Sequence, residues 1–283
     1  MLAAVLALAA CSDARPAREA EPASDSGVVV VDAAGRTLRF AQPPARVLSL
    51  VPAVTVALVE LGAGPALVGR TDYDTIAAVR ELPSVGGGLQ PDLERLLTLE
   101  PDLVIRFGGP QDPITPAALD ERGIAHLAVR PDRVADVRAI LVQLGDVMHR
   151  RGAADSIVAT IDAELADVRA RVAGRERLKV AYLLGGSPPW VAGPGTFVTD
   201  LLDVAGADNV FADLTELYAP VSLEELLARD VDAYVMTRGS QVDARLRARA
   251  PVIEVPPQVE APGTGLGHSA TELGRALHPD AFR

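Results

Sequence analysis

A single cysteine, Cys11, is all that 283 residues contain, so no disulfide can staple this chain internally. Aromatic residues make up only 4% of it, which leaves a small or polar solute open beside a flat one. Basic residues are few, 27 against 38 acidic ones, and the net charge is −11. An acidic surface repels phosphate backbones, so no nucleic-acid partner is expected. No apolar run approaches the ~20 residues that span a bilayer. No phosphate loop of the Walker type occurs, and the cluster Gly263-Thr264-Gly265-Leu266-Gly267 follows no clear strand and lacks dinucleotide spacing. Gly267-His268-Ser269-Ala270 lacks the second glycine of a nucleophile elbow. Histidines are His126, His149, His268 and His278. His149 sits beside Arg150 and Arg151 in a helical stretch, and His278 is near the last residue. Only His126 and His268 are placed to face a cleft, too few for a bare metal ion. No resident cofactor or metal is expected, and the missing phosphate loop speaks against a nucleotide-dependent α/β enzyme, the rival from another class.

What the chain does have is a sentence written twice. Residues 93–105 read LERLLTLEPDLVI and residues 223–235 read LEELLARDVDAYV, with Leu93/Leu223, Glu94/Glu224, Leu96/Leu226, Leu97/Leu227 and Asp102/Asp232 identical. A helix pattern followed by a buried-strand pattern thus recurs once per half. Two similar α/β lobes follow, and the cleft between lobes is where small molecules are held. The length also suits two domains.

The pattern along the chain agrees. Residues 28–40 read as a hairpin around Asp32-Ala33-Ala34-Gly35. Strands are expected at 47–51, 67–69, 84–85, 103–107 and 124–129, and helices at 53–61, 92–99 and 115–122. Gly86-Gly87-Gly88 reads as a flexible turn. Alternating strands and helices argue for largely parallel sheets with covered faces. From 133 to 172 no strand signal occurs. Gly145 and Gly152 are expected to punctuate two helices here. The second, at 153–172, carries Ile157, Ile161, Leu165, Val168 and Val172 at three- and four-residue spacing. It is long enough to be a stiff spine alongside both lobes. The second half then has strands at 180–184, near 210, at 233–236 and 252–255, helices at 197–204, 223–229 and 269–277, and a loop at 256–267. The expected divisions are a leader at 1–10, a solvated tether at 11–27, a first lobe at 28–151, the backbone helix at 152–174 and a second lobe at 175–283.

The amino terminus carries its own signal. Residues 2–10 are small and apolar, and Leu8-Ala9-Ala10-Cys11 resembles the lipobox of bacterial lipoproteins. That resemblance implies cleavage before Cys11 and acylation of its sulfur. The run is too short for a membrane span and reads as a secretory leader, although no Lys or Arg precedes it, which puts the true start upstream. Residues 12–27 hold almost no large apolar side chain, as a solvated tether would.

Several motifs follow in order: Arg46-Val47-Leu48-Ser49-Leu50 with Pro52 and Thr55, then Leu61-Gly62-Ala63-Gly64, Leu67-Val68-Gly69, and Pro101-Asp102-Leu103-Val104-Ile105. Together they resemble the solute-binding proteins of ABC importers for vitamin B12, ferric siderophores and haem, the two-lobed, helical-backbone class of periplasmic binding proteins. The resemblance runs from about 28 to 279. Asp92-Leu93-Glu94-Arg95 and Val221-Ser222-Leu223-Glu224 match the helix starts of the vitamin B12 branch. It implies a binding protein rather than an enzyme: an extracytoplasmic, membrane-anchored monomer that hands its cargo to a permease and its ATPase. The cargo expected is cobalamin, with a ferric siderophore or haem as the alternative.

The resemblance also implies roles. Glu94 and Glu224 match glutamates that meet arginines of the permease. An acidic residue in a first helical turn also offsets the helix dipole by ~0.3–1 kcal/mol, and Ser222 with Glu225 has capping-box spacing. Their recurrence in both halves favours docking. Phe107 and Tyr218 align with aromatics that line the cleft, whereas a third such position falls on Gly86-Gly87-Gly88 and is lost. Tyr73, in the loop after 67–69, and Trp190, after Pro188-Pro189, complete the candidate ligand contacts. Flat rings suit a corrin or porphyrin because stacking buries apolar area without demanding hydrogen bonds. A haem cargo would want Tyr73, Tyr218 or His268 as an axial ligand.

Overall fold

The computed structural model describes residues 27–283. Cys11, the expected leader and the tether up to residue 26 lie outside the described residues. The hairpin forms as expected: β1 (Val28–Val31) pairs antiparallel with β2 (Thr37–Phe40). The Asp32 carboxylate closes it by accepting the backbone N–H groups of Ala34 and Arg36, both at 2.9 Å.

The first sheet is built from β3 (Val47–Ser49), β4 (Leu67–Gly69), β5 (Leu103–Phe107) and β6 (Ala125–Val129). Its order is β4-β3-β5-β6, and every pair is parallel. Parallel neighbours need crossovers, which α1 (Pro52–Glu60), α2 (Leu93–Thr98) and α3 (Ile114–Glu121) supply. The short strand expected at 84–85 is a single parallel bridge from Ser84 to Arg70.

Two helices follow, α4 (Val134–Val147) and α5 (Arg151–Val172). The glycines expected to end them do not. Gly145 lies inside α4 and Gly152 inside α5; the break falls at 148–150, where His149 takes a φ of 52°. Gly145 serves close approach instead: a Cβ there would sit 2.5 Å from the Cβ of Ala154 on α5. At 22 residues α5 is about 33 Å long. Its Ile161, Leu165, Val168 and Val172 are buried and Ile157 is half-buried.

The second lobe contains β7 (Leu178–Leu183), β8 (Trp190–Ala192), α6 (Phe197–Val204), β9 (Ala207–Asn209), β10 (Tyr218–Pro220), α7 (Leu223–Ala228), β11 (Ala233–Thr237), α8 (Ala244–Arg249), β12 (Val252–Val255) and α9 (Leu266–Leu277). The parallel run β7-β11-β12 repeats β3-β5-β6 of the first lobe. This sheet is mixed, however. On the other side of β7 the parallel β9 takes its first half, and the antiparallel β8 takes its end, with β10 outside β8. Strands β8 and β10, and helix α8, have no counterpart in the sequence reading. Helix α9 starts three residues before the expected 269, because Gly265 and Gly267 belong to its entry rather than to a loop.

The written repeat is a structural one. Leu96 and Leu226 are fully buried, each in the satellite core of its own lobe, and Leu93, Leu97, Leu223 and Leu227 pack around them. Asp102 accepts the N–H groups of Ala45 (2.8 Å) and Arg46 (3.0 Å); Asp232 accepts that of Lys179 at 2.7 Å. Each aspartate thus ties the start of one strand to the start of its neighbour.

One continuous apolar core holds residues of both lobes and of α4, α5 and α9. Helix α9 lies close on α5 because a Cβ at Gly267 would run into Glu164, and one at Gly274 would reach 3.1 Å from Val168. A polar tie adds to this. Asp200 of α6 accepts from Arg133 Nε and from the Val134 N–H, both at 2.9 Å, so the second lobe caps the first turn of α4. We predict that Gly145→Ala lowers unfolding free energy by about 1–3 kcal/mol, since both Cβ atoms are fixed by backbone. Gly152→Ala, with open space around it, should be neutral or stabilise by up to about 1 kcal/mol. Urea unfolding of both variants checks the pair.

Candidate functional site

Ligands of α/β sheets collect outside the carboxyl ends of the strands. In the first lobe those ends are Leu50 after β3, Phe107 closing β5, and Arg130 after β6. Two adjoining hollows lie there. One, of about 560 Å³, bridges the lobes: Phe107, Arg130 and Asp132 line it from the first, Trp190, Glu216 and Tyr218 from the second. The other, of about 600 Å³, is lined by Leu50, Tyr73, Gly88 and Phe107. Leu89 and Phe107 belong to both, so the hollows form one cleft. The structure brings Tyr73, Phe107, Trp190 and Tyr218 together around it.

Each ring has a local reason to be there. Tyr73 sits in a turn held by buried Asp74, which accepts from the N–H (2.6 Å) and hydroxyl (2.8 Å) of Thr71. That leaves Tyr73 70% exposed. Phe107 and Tyr218 pack against the shared core, one from each lobe. Trp190 stands opposite Pro220 and Tyr218 opposite Ala192, so the two rings are diagonal neighbours on one face. Trp190 remains 44% exposed. Burial pushes the Tyr218 phenol up to about 12, helped by the negative charges of Asp132 and Glu260. It is a neutral hydroxyl at physiological pH. The Gly86-Gly87-Gly88 turn is less free than expected. Gly86 bridges to Pro91 and accepts the Asp72 N–H at 2.9 Å, and a Cβ on Gly88 would collide with the Leu50 carbonyl.

The sequence reading missed the polar lining. Arg130 lays its stem over Gly108 and pairs with Asp132 at 2.7 Å. Glu216 accepts the Thr215 hydroxyl at 2.8 Å. Position just past a parallel strand was the available signal for Arg130; Glu216 had none.

Glu94 and Glu224 do not line this cleft. Both are exposed, on α2 and α7, and neither carboxylate has an ion-pair partner among the described residues. The helix starts are capped by other groups. Asp92 accepts the Arg95 N–H at 3.1 Å, and Ser222 that of Glu225 at 3.0 Å. Glu225 pairs with Arg229 (3.4 Å) instead of closing the capping box.

Residues 47–256 match the family described as periplasmic binding protein. The chain belongs to that family. It is 26% identical to an ABC transporter substrate-binding lipoprotein of Bacillus subtilis over all of this chain and 96% of that protein. It is 30% identical to the vitamin B12-binding protein of Salmonella typhimurium over 68% of this chain and 71% of that one. A periplasmic haem-binding protein from Pseudomonas aeruginosa superposes with a TM-score of 0.70 at 25% identity, covering 83% of this chain and 93% of that one. The long α5 and paired lobes are those of the helical-backbone class, whose members bind solutes.

The histidines of this binding protein lie outside the cleft lining. His268 is exposed on α9, His149 is exposed at the α4–α5 break, and buried His278 lies 3.3 Å from the Gly206 carbonyl. No group of three or more His, Cys, Asp or Glu side chains among the described residues is arranged to hold a metal. His126 is buried in β6 within a charged knot. Its Nδ1 accepts from Arg106 Nε at 2.9 Å, its Nε2 meets Asp120 at 2.9 Å, and Arg36, held by Asp32 at 2.9 Å, reaches its backbone carbonyl. Burial lowers the His126 pKa, and the guanidiniums of Arg36 and Arg106 add to this against Asp120. The unfolded chain takes up that proton near 6.5 while the folded one resists it. Stability from this group is therefore complete above about pH 6.5 and is lost as pH falls below it. Thermal melts from pH 7.5 to 5 should show a falling Tm that flattens in His126→Gln; an equal slope in both would contradict the assignment.

Proposed function

We propose that this chain is the lipid-anchored capture protein of an ABC importer, and that it holds a cobalamin-like corrinoid between its lobes. The observation that carries the reading is the meeting of four rings, two from each lobe, on one cleft. A flat macrocycle is held by such faces through buried apolar area, with few hydrogen bonds needed. The name of the Salmonella relative supports the corrinoid. The lipoprotein from Bacillus supports anchoring through Cys11 and an extracytoplasmic site of action. A second reading, an anionic chelate such as haem or a ferric siderophore, is favoured by the exposed Arg130 guanidinium in the cleft and by the likeness to the haem-binding protein.

In this mechanism the chain works as a monomer. The cleft closes on the cargo with small lobe motion, since α5 and the shared core resist a wide hinge. Glu94 and Glu224 then meet basic residues of the permease, whose ATPase drives release. Two free carboxylates held apart on separate lobes favour orientation and encounter rate more than affinity.

Native mass spectrometry with cyanocobalamin, haem and ferric chelates tests the cargo. Micromolar or tighter binding of one, without turnover, supports the proposal; binding of none, with nucleotide bound instead, overturns it. Phe107→Ala and Trp190→Ala should each weaken cargo binding roughly tenfold, or about 1.4 kcal/mol, in titration calorimetry. Charge reversal at Glu94 and Glu224 together should abolish transport in vesicles and leave cargo affinity unchanged. Lost affinity would move those residues into the ligand site.

A further inference from the structure

Charge is unevenly spread over the cleft. The hollow that holds Tyr73 has no charged side chain on its walls. The hollow that bridges the lobes has three: Arg130 and Asp132 from the first lobe and Glu216 from the second. Arg130 is the one cation lining it among the described residues, and two contacts hold it. Its stem lies against Gly108, where an added Cβ would come within 3.0 Å of the Arg130 Cγ, and its guanidinium pairs with Asp132 at 2.7 Å. A carboxylate on a cargo would have to compete with Asp132 for that guanidinium.

Glu216 is left over. It is exposed, accepts the Thr215 hydroxyl through Oε2 at 2.8 Å, and pairs with no basic side chain among the described residues. Tyr218, on the same second-lobe wall, keeps its proton well above physiological pH, because burial and the negative charges of Asp132 and Glu260 oppose a phenolate. It therefore offers a hydrogen bond without adding charge. Gln90 and Gln111 add neutral carboxamides. A cargo arm ending in a carboxylate meets like charge at Glu216, and that repulsion grows as the cargo displaces water from the cleft. An arm ending in a carboxamide has N–H groups to donate to Glu216 and a carbonyl to accept from a phenol.

We propose that Glu216 is a specificity-determining residue of the cleft: it selects a flat macrocycle whose arms end in neutral carboxamides and turns away the same ring bearing free carboxylates, because Asp132 already occupies the one cation that could receive them. This rests on the reading of the cleft as a corrinoid site and extends it from the ring to its periphery. The four rings hold the flat face and do not distinguish an acid from its amide. Discrimination falls to the charges, and it works chiefly by penalising the wrong arm.

The test titrates the full chain, at low salt and neutral pH, with two corrins that share a ring and axial cyanides. Dicyanocobinamide has amide arms, and dicyanocobyrinic acid has carboxylate arms. The unaltered protein should bind the amide at least about tenfold tighter, and the gap should shrink as salt screens it. Glu216→Gln should raise affinity for the acid about fivefold and lower that for the amide about twofold, since a charged acceptor becomes a neutral one. Asp132→Asn, which releases the Arg130 guanidinium, should likewise raise affinity for the acid. A gain in affinity cannot come from a damaged fold, so both variants report on charge. Equal affinities in the unaltered protein, or an unchanged ratio in Glu216→Gln, overturns the selection while the cargo reading stands. Binding of neither corrin overturns the cargo reading, and the selection with it.

Discussion

Close packing along α5 governs everything else in this protein. Gly145 lets α4 lie against Ala154, and Gly267 and Gly274 let α9 lie against Glu164 and Val168. Helices brought this near share one apolar core, and that core runs through both lobes. Asp200 adds a polar clasp, capping α4 from the other lobe. Interiors at such density transmit strain rather than absorb it. On the proposed mechanism this helix packing sets the separation of the lobes, and a cargo would meet a cleft of nearly fixed width.

Fixed lobes give the repeat its meaning. The same thirteen-residue pattern puts three leucines into a core, one aspartate onto the neighbouring strand's amide and one glutamate into solvent, in each half. Two of those roles are structural and would recur in any duplicated fold. The third is not needed by the helix, because Asp92 and Ser222 already cap it. In the proposed docking, charges left unpaired at corresponding places on the two lobes would give the permease a two-point contact.

Much of this was legible in the chain. Apolar spacing at 157, 161, 165, 168 and 172 gave the spine, and alternating strands and helices gave the first lobe almost residue by residue. The four cleft aromatics were found only through family resemblance, since an exposed Tyr73 or Trp190 carries no periodic signal. Glycine misled at Gly145, where it permits contact between helices instead of ending one. The mixed second sheet was hidden because its antiparallel strands β8 and β10 have three residues each, too few to show alternation. Arg130, Asp132 and Glu216 were missed because their meeting depends on how the lobes face each other, which no local pattern encodes.

Rigid spacing is the claim that both capture and docking depend on, and a distance across the cleft tests it. Spin labels at Glu121 and Ala212, exposed on opposite lobes, with Cys11→Ser to leave no other thiol, allow electron–electron resonance distances with and without bound chelate. The account predicts a narrow distribution that shifts by under about 2 Å on loading, a rearrangement smaller than typical domain closure. A broad distribution without cargo, or a shift of about 5 Å or more, would contradict it.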